Sequence, residues 1–317
     1  MDVEALVRGV LAGERRAVAR AISAVEDGAD DLEALSEGIF ASTGRAATVG
    51  LTGAPGVGKS TLAAGLVRVG RARDLRAAVL AVDPTSPYTG GALLGDRVRM
   101  QEHATDPSVF IRSMATRGHL GGMALAAPEA VRILDAAGYD RVVVETVGVG
   151  QAEVDVAAAT DTAVVVLAPG MGDAVQMAKA GILEVADVFV VNKADREGAN
   201  EVVRELRQML HLGAARDWDP PVLTTSATGG EGIEEMWDAV ESHRSHLEAS
   251  GALGDKRQAR LLREVEALAA ARFRLEIARA LQADPALTDD LVHRRTDPYA
   301  AAAMLARRAA SREAGHV

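Results

Sequence analysis

The chain has 317 residues, 48% of them hydrophobic, which suits one sizeable α/β domain with smaller helical additions and excludes a mainly disordered chain. Its formal net charge of −10 argues against a basic surface of the kind that binds nucleic acid or anionic membrane, so neither partner is expected. It contains no cysteine, which removes disulfides, thiolate metal sites and cysteine nucleophiles together.

The first residues, MDVEALVRGVLAGERRAVAR, lack an uninterrupted apolar core and read as neither a signal peptide nor a membrane span, so a cytoplasmic location is expected. Apolar residues at helical spacing (Val3, Leu6, Val7, Val10, Leu11, then Val18, Ile22, Val25) predict two short amphipathic helices within a helical extension over 1–44. From Ala47, short β-branched runs alternate with helical stretches: ATVGLT, AAVLAVD, SVFIRSM, RVVVET, TAVVVLAP, VFVVNKAD and PVLTTSA. Near-continuous apolar strands of this kind belong to a mostly parallel sheet covered on both faces, so the fold class is α/β, over 45–250. Residues 251–317 lose strand signals and read as charged helix.

Gly53-Ala54-Pro55-Gly56-Val57-Gly58-Lys59-Ser60-Thr61 matches G-x-x-x-x-G-K-[ST] between a strand and a helix. Its glycines let backbone amides wrap phosphates, Lys59 neutralises β and γ oxygens, and Ser60 offers a hydroxyl to Mg²⁺. Asp83, at the end of VLAVD, can hold a metal-bound water or simply cap a turn. Asp96, in the glycine-flanked GGALLGDRVRM, is a second metal candidate with a solvated loop acid as its alternative. Glu145-Thr146-Val147-Gly148 stands where a D-x-x-G element would, and Glu145 can reach Mg²⁺ through water or orient the attacking water. Val149 follows where a water-positioning glutamine would serve, which predicts slow intrinsic hydrolysis; Gln151 lies further on.

Asn192-Lys193-Ala194-Asp195 ends the next apolar strand and is the pattern of a guanine reader, since a carboxylate accepts both N1–H and the exocyclic amine of guanine. Ser226-Ala227, after the last strand, completes that pocket, and GTP is preferred over ATP. Arg97, Arg99, Arg112, Arg117 and Lys179 are basic residues near these segments, available to stabilise phosphate charge or to sit solvated on the surface.

The run ETVGVGQAEVDV, preceded by VDPTSPYTGGALLGDRVRM and followed by PGMGDAVQMAKAGILEVADVFVVNKAD, resembles the MeaB/ArgK-type GTPase family over essentially the whole chain. The resemblance implies a GTPase chaperone of an adenosylcobalamin-dependent acyl-CoA mutase, best known with methylmalonyl-CoA mutase. Such a chaperone gates cofactor loading and protects or reactivates its partner. It further implies a metal-associated loop spanning roughly Asp83–Met100, a second switch beginning at Glu145–Gly148, and another over Pro169–Ile182 with Asp173, Gln176 and Lys179. The tail containing DPYAAA becomes, by the same resemblance, a dimerisation arm of a homodimer, and adenosylcobalamin is met only through the partner. Family members have also carried a transport-ATPase or arginine-kinase label, against which NKAD argues.

The alternative is a nickel- or cobalt-delivery maturation GTPase, which would need clustered Cys or His. Only seven scattered histidines are present, and the single close pair, His243 and His246, reads as solvated helix surface. A protein-targeting GTPase would need a Met-rich groove domain that nine dispersed methionines do not supply.

Overall fold

The computed structural model describes residues 2–29, 31–83, 103, 105–115, 123–146, 158–171, 185–212 and 216–313. All seven expected strands form: β1 (Ala47–Thr52), β2 (Ala77–Asp83), β3 (Val109–Ala115), β4 (Arg141–Thr146), β5 (Thr162–Leu167), β6 (Val188–Asn192) and β7 (Val222–Thr225). They pair in parallel in the order β3-β2-β4-β1-β5-β6-β7. Parallel strands need crossovers over the faces, so both faces are covered, and the central strands are buried along their whole length. Among the described residues no helix is long and apolar enough to cross a membrane.

The N-terminal segment forms three helices, α1 (Val3–Leu11), α2 (Arg15–Asp27) and α3 (Leu32–Phe40), where two were expected. The breaks fall at Gly13 and Gly28, with φ of +70° and +62°, a backbone conformation that ends a helix and that glycine adopts without steric cost. The two expected helices correspond to α1 and α2, on either side of Gly13, and the additional one is α3, which buries Leu35 and Ile39. These helices share a core with the sheet: Leu6, Val10, Val18, Ile22 and Leu35 pack with Leu80, Met114 and Val144 and with α5 (Met123–Ala136). The opposite face carries α4 (Lys59–Ala72) and α7 (Ile233–Ser250), where Leu62, Leu66 and Trp237 meet Val49, Leu51 and Val164. Helix α6 (Ala199–Leu212) covers Val165, Leu167, Phe189 and Val191.

Helix α8 (Ala252–Gln282) begins in the compact unit Met1–Arg260; the second unit, Leu261–Val317, also contains α9 (Pro285–Val292) and α10 (Pro298–Glu313). The root of α8 is fastened to the N-terminal edge of the sheet by ions. Asp161 is buried and receives Arg257 Nη2 at 2.7 Å and Arg260 Nη2 at 2.9 Å, while Arg257 also donates to the carbonyls of Gly44 and Ala46. Burial pushes the Asp161 carboxyl up, but the Arg257 hydrogen bonds and both guanidinium charges outweigh this and hold it below the ordinary aspartate range. Beside it, Lys256 donates to Asp161 O at 2.7 Å and to Asp187 Oδ2 at 3.2 Å.

The His243 and His246 pair is not a solvated face. His243 is buried, with Nδ1 2.9 Å from Thr162 Oγ1 and Nε2 3.3 Å from Asp187 Oδ1. Both rings pack against Trp218, at centroid distances of 5.0 and 5.3 Å. The apolar contact with Trp218, which joins from a segment 25 or more positions earlier, is what draws His243 inward. Desolvation lowers the His243 pKa, and the nearby Asp187 charge offsets this only in part.

Two stability predictions follow from these ions. Asp161→Asn strands two partly buried guanidiniums and is expected to cost about 3 kcal/mol by denaturant melting. A histidine whose pKa is depressed in the folded state contributes stability present above its unfolded value near 6.5 and lost as pH falls through the folded value. Melting temperature should therefore decline below about pH 6.5, and His243→Gln should flatten that decline; an unchanged slope would contradict the assignment.

Candidate functional site

Strand β1 sits where the strand order reverses, since the chain leaves it towards β2 on one side and takes up β5 on the other. The crevice beyond the carboxyl end of such a strand is where open α/β sheets bind ligands. The segment Gly53–Gly58 fills that position and leads directly into α4 at Lys59. Its path depends on missing side chains. A Cβ at Gly53 would lie 2.1 Å from the Val166 carbonyl oxygen, and one at Gly58 2.3 Å from Asn192 Nδ2. Both residues also have positive φ, +142° and +104°. Val57 is fully buried and pins the loop to the core beneath α4, while Pro55 and Gly56 are exposed.

Lys59 is buried, and its ammonium donates to Gly53 O at 2.5 Å and Ala54 O at 3.1 Å, curling the side chain back over the loop. Ser60 is buried and Thr61 half-buried in the first turn of α4. Helix-initial amides have no intrahelical acceptor and carry the positive end of the helix dipole, so this loop and helix start offer backbone donors and one ammonium to a polyphosphate.

Residues 192–195 and 226–227 are joined to that loop and to one another by side chains. Asn192, buried at the end of β6, donates from Nδ2 to Val57 O at 2.7 Å. Its Oδ1 accepts from Thr225 Oγ1 at 3.0 Å and from the Ala227 amide at 3.1 Å. Lys193, at φ +59°, donates to Gly56 O at 2.6 Å and approaches Met171 Sδ at 3.2 Å. Asp195 is exposed, and its Oδ1 accepts from Ser226 Oγ at 3.2 Å. The structure therefore brings the phosphate loop, Asn192, Lys193, Asp195, Ser226 and Ala227 to one sheet edge.

Glu145, next to last in β4, lies beside Leu51 of β1 and Ala81 of β2, and it is buried. Alternation places it on the α4 face, since Val143, two residues before, packs there. The backbone of Asp83 ends the neighbouring β2; its side chain, with Asp96, Gly148, Gln151, Asp173, Gln176 and Lys179, lies outside the described residues, as do Arg97, Arg99 and Arg117. Arg112 is corrected: it donates to Ala19 O at 2.9 Å, to Ser23 Oγ at 2.8 Å and to Glu26, so α2 already engages it. Residues 19–26 are too remote in sequence from Arg112 for any local pattern to signal this. The sequence also gave no sign that Met171 would lie against the loop, its Cε 2.7 Å from where a Gly56 Cβ would be. Among the described residues no group of three or more His, Cys, Asp or Glu could hold a metal ion.

Residues 18–281 match the family model described as methylmalonyl Co-A mutase-associated GTPase MeaB. The chain belongs to the MeaB family. It is similar to a putative GTPase of Pyrococcus horikoshii, 47% identical over 304 residues that cover 95% of this chain and 96% of the relative. It is 40% identical over 261 residues to the GTPase ArgK of Escherichia coli, covering 80% and 79% of the two chains. The mitochondrial methylmalonic aciduria type A homolog of Mus musculus is 38% identical over 275 residues, covering 81% of this chain and 66% of the relative. A crystal structure of an LAO/AO transport system kinase superposes with TM-score 0.70 at 27% identity, covering 96% of each chain. As a MeaB-family member with this fold, the chain is a P-loop GTPase.

For this MeaB-family GTPase, Gly53→Ala meets a backbone carbonyl that cannot swing away. It should abolish measurable GDP binding and cost ~2–3 kcal/mol of stability; titration with a fluorescent GDP analogue checks the first and denaturant melting the second.

Proposed function

We propose that this GTPase is a chaperone of an adenosylcobalamin-dependent acyl-CoA mutase, with methylmalonyl-CoA mutase as the partner, and that its nucleotide cycle gates cofactor loading and protects or reactivates that enzyme. The match to the MeaB family across residues 18–281 carries this reading, since the family is described by its association with that mutase. The name of the mouse relative, which refers to methylmalonic aciduria, points the same way.

In the proposed site, Lys59 and the amides of Gly53–Thr61 hold the β and γ phosphates, and Asp195, steadied by Ser226, accepts the guanine N1–H and amine. Asn192 serves from behind, fixing the base loops to Val57. Ser60, Glu145, Asp83 and Asp96 are all oxygen donors, a set that suits a hard cation such as Mg²⁺ rather than zinc or nickel. Mg²⁺, when bound, neutralises charge on the β and γ oxygens. Water attacks the γ phosphorus, the bond to the β–γ bridging oxygen breaks, and GDP and phosphate leave. Glu145 would hold a water of the Mg²⁺ shell or orient the attacking water. Val149 in place of a polar residue leaves water positioning incomplete, so turnover is slow until the partner binds. In the second unit, Leu262, Val265 and Leu268 of α8 and Tyr299 of α10 are exposed, and this unit is read as the arm through which two copies pair.

The test is steady-state GTP and ATP hydrolysis by the purified protein, alone and with the mutase. Slow, GTP-selective turnover that rises at least about tenfold with mutase is expected, arginine supplied in trans being worth ~10³ or more in related chemistry. Lys59→Ala should remove the activity. No acceleration and no complex would overturn the chaperone reading while leaving the GTPase intact.

A further inference from the structure

Six threonines are buried in the described residues: Thr48, Thr52, Thr146, Thr160, Thr162 and Thr225. Four have hydroxyl partners. Thr48 Oγ1 accepts from the Asp161 amide, Thr160 donates to Thr162 O, Thr162 pairs with His243, and Thr225 donates to Asn192. The other two, Thr52 and Thr146, are each 1% exposed, and their hydroxyls have no hydrogen-bond partner among the described residues.

Their placement is not scattered. The register of β1 and β4 sets Leu51 beside Glu145, and continuing it by one residue brings Thr52 and Thr146 level at the ends of strands that run about 4.8 Å apart. Alternation puts both on the same face. Val142 and Val144 point into the core beneath α2 and α5, so Thr146 does too, whereas Val49 and Leu51 point to the α4 side and leave Thr52 on the face of Thr146. Thr52 immediately precedes Gly53, whose carbonyl holds Lys59, and Thr146 immediately follows Glu145. Valine has the same shape and would fill both positions without burying a polar atom, so two hydroxyls at adjacent strand ends with no partner among the described residues call for a function.

We infer that Thr52 and Thr146 are a pair of positioning residues for GTP hydrolysis, their hydroxyls joined through one shared water across the β1–β4 edge. Each hydroxyl is both donor and acceptor, and a water that bridges two otherwise unsatisfied buried groups is a standing feature of protein interiors. The link fixes the strand end that carries Glu145 against the strand end that launches the phosphate loop. Neither threonine touches the nucleotide; both act through the relative placement of Glu145 and Lys59, where a displacement near 1 Å can cost up to ~10²-fold in rate. This inference rests on the proposed roles of Gly53–Thr61 and Glu145.

The experiment compares Thr52→Val, Thr146→Val, the double valine variant and the two serine variants, with Lys59→Ala alongside, reading kcat for GTP, the Kd of a fluorescent GDP analogue, and the thermal midpoint. Each valine variant should lower kcat about tenfold with Kd within about twofold of the parent. The double variant should be no slower than the worse single one, because either change breaks the same link, and serine, which keeps the hydroxyl, should restore most of the rate. Wild-type kcat in the valine variants, with an unchanged or raised thermal midpoint, would overturn the inference, as would rate losses that multiply in the double variant. Loss of kcat, GDP affinity and thermal midpoint together, unrelieved by serine, would show a packing role only and also overturn it. If Lys59→Ala binds GDP as the parent does, the site assignment itself fails, an outcome separable from failure of the threonine pair.

Discussion

One carboxamide ties the nucleotide edge of the sheet together. Asn192 stands at the end of β6 and bonds forward to the phosphate loop through Val57 and sideways to the end of β7 through Thr225 and Ala227. Three loops that come from residues 53–58, 192–195 and 226–227 are thereby held at one relative position by hydrogen bonds of the protein's own. A site built this way pays little ordering entropy on binding, which is the physical meaning of preorganisation. Gly58 must lack a side chain because this carboxamide occupies the space a Cβ would take.

The opposite edge of the sheet has a different task. There, Asp161 and Asp187 gather Arg257, Arg260, Lys256 and His243 and fix the root of α8 to the strands. These ions are part-buried and mutually satisfied, so they specify where the helix begins more than they add net stability. The candidate site thus stands at the carboxyl ends of the strands and the anchoring ions at their amino ends, a division that parallel sheets permit because every strand points the same way.

Much of the nucleotide edge is legible in the sequence because it is local. The phosphate loop and NKAD are contiguous runs, each directly after an apolar strand, and all seven strands announce themselves as short apolar stretches, with β1, β5 and β6 buried on both faces. What escapes is non-local. The Asp161 cluster joins residues 96 to 99 positions apart, and Arg112 meets Glu26 across 86. Nothing in spacing could have linked them. Helix α3 is hard to read because it is nine residues long and buries only Leu35 and Ile39, too few apolar positions to set a period. The histidine pair looked solvated because Trp218, which covers it, belongs to a distant loop. The hydroxyls of Thr52 and Thr146 gave no signal at all, since threonine in a strand is ordinary until its neighbours are known.

In the proposed site the Asp195 carboxylate, braced by Ser226, reads guanine at this sheet edge. The most direct test of this is the affinity of Asp195→Asn for GDP and for xanthosine diphosphate, beside the parent protein. Asparagine offers an amide donor where xanthine presents a carbonyl and guanine an amine, so the account predicts that GDP affinity falls by at least ~10²-fold while xanthosine diphosphate becomes the preferred ligand. Retention of strict guanine preference by the variant would contradict it.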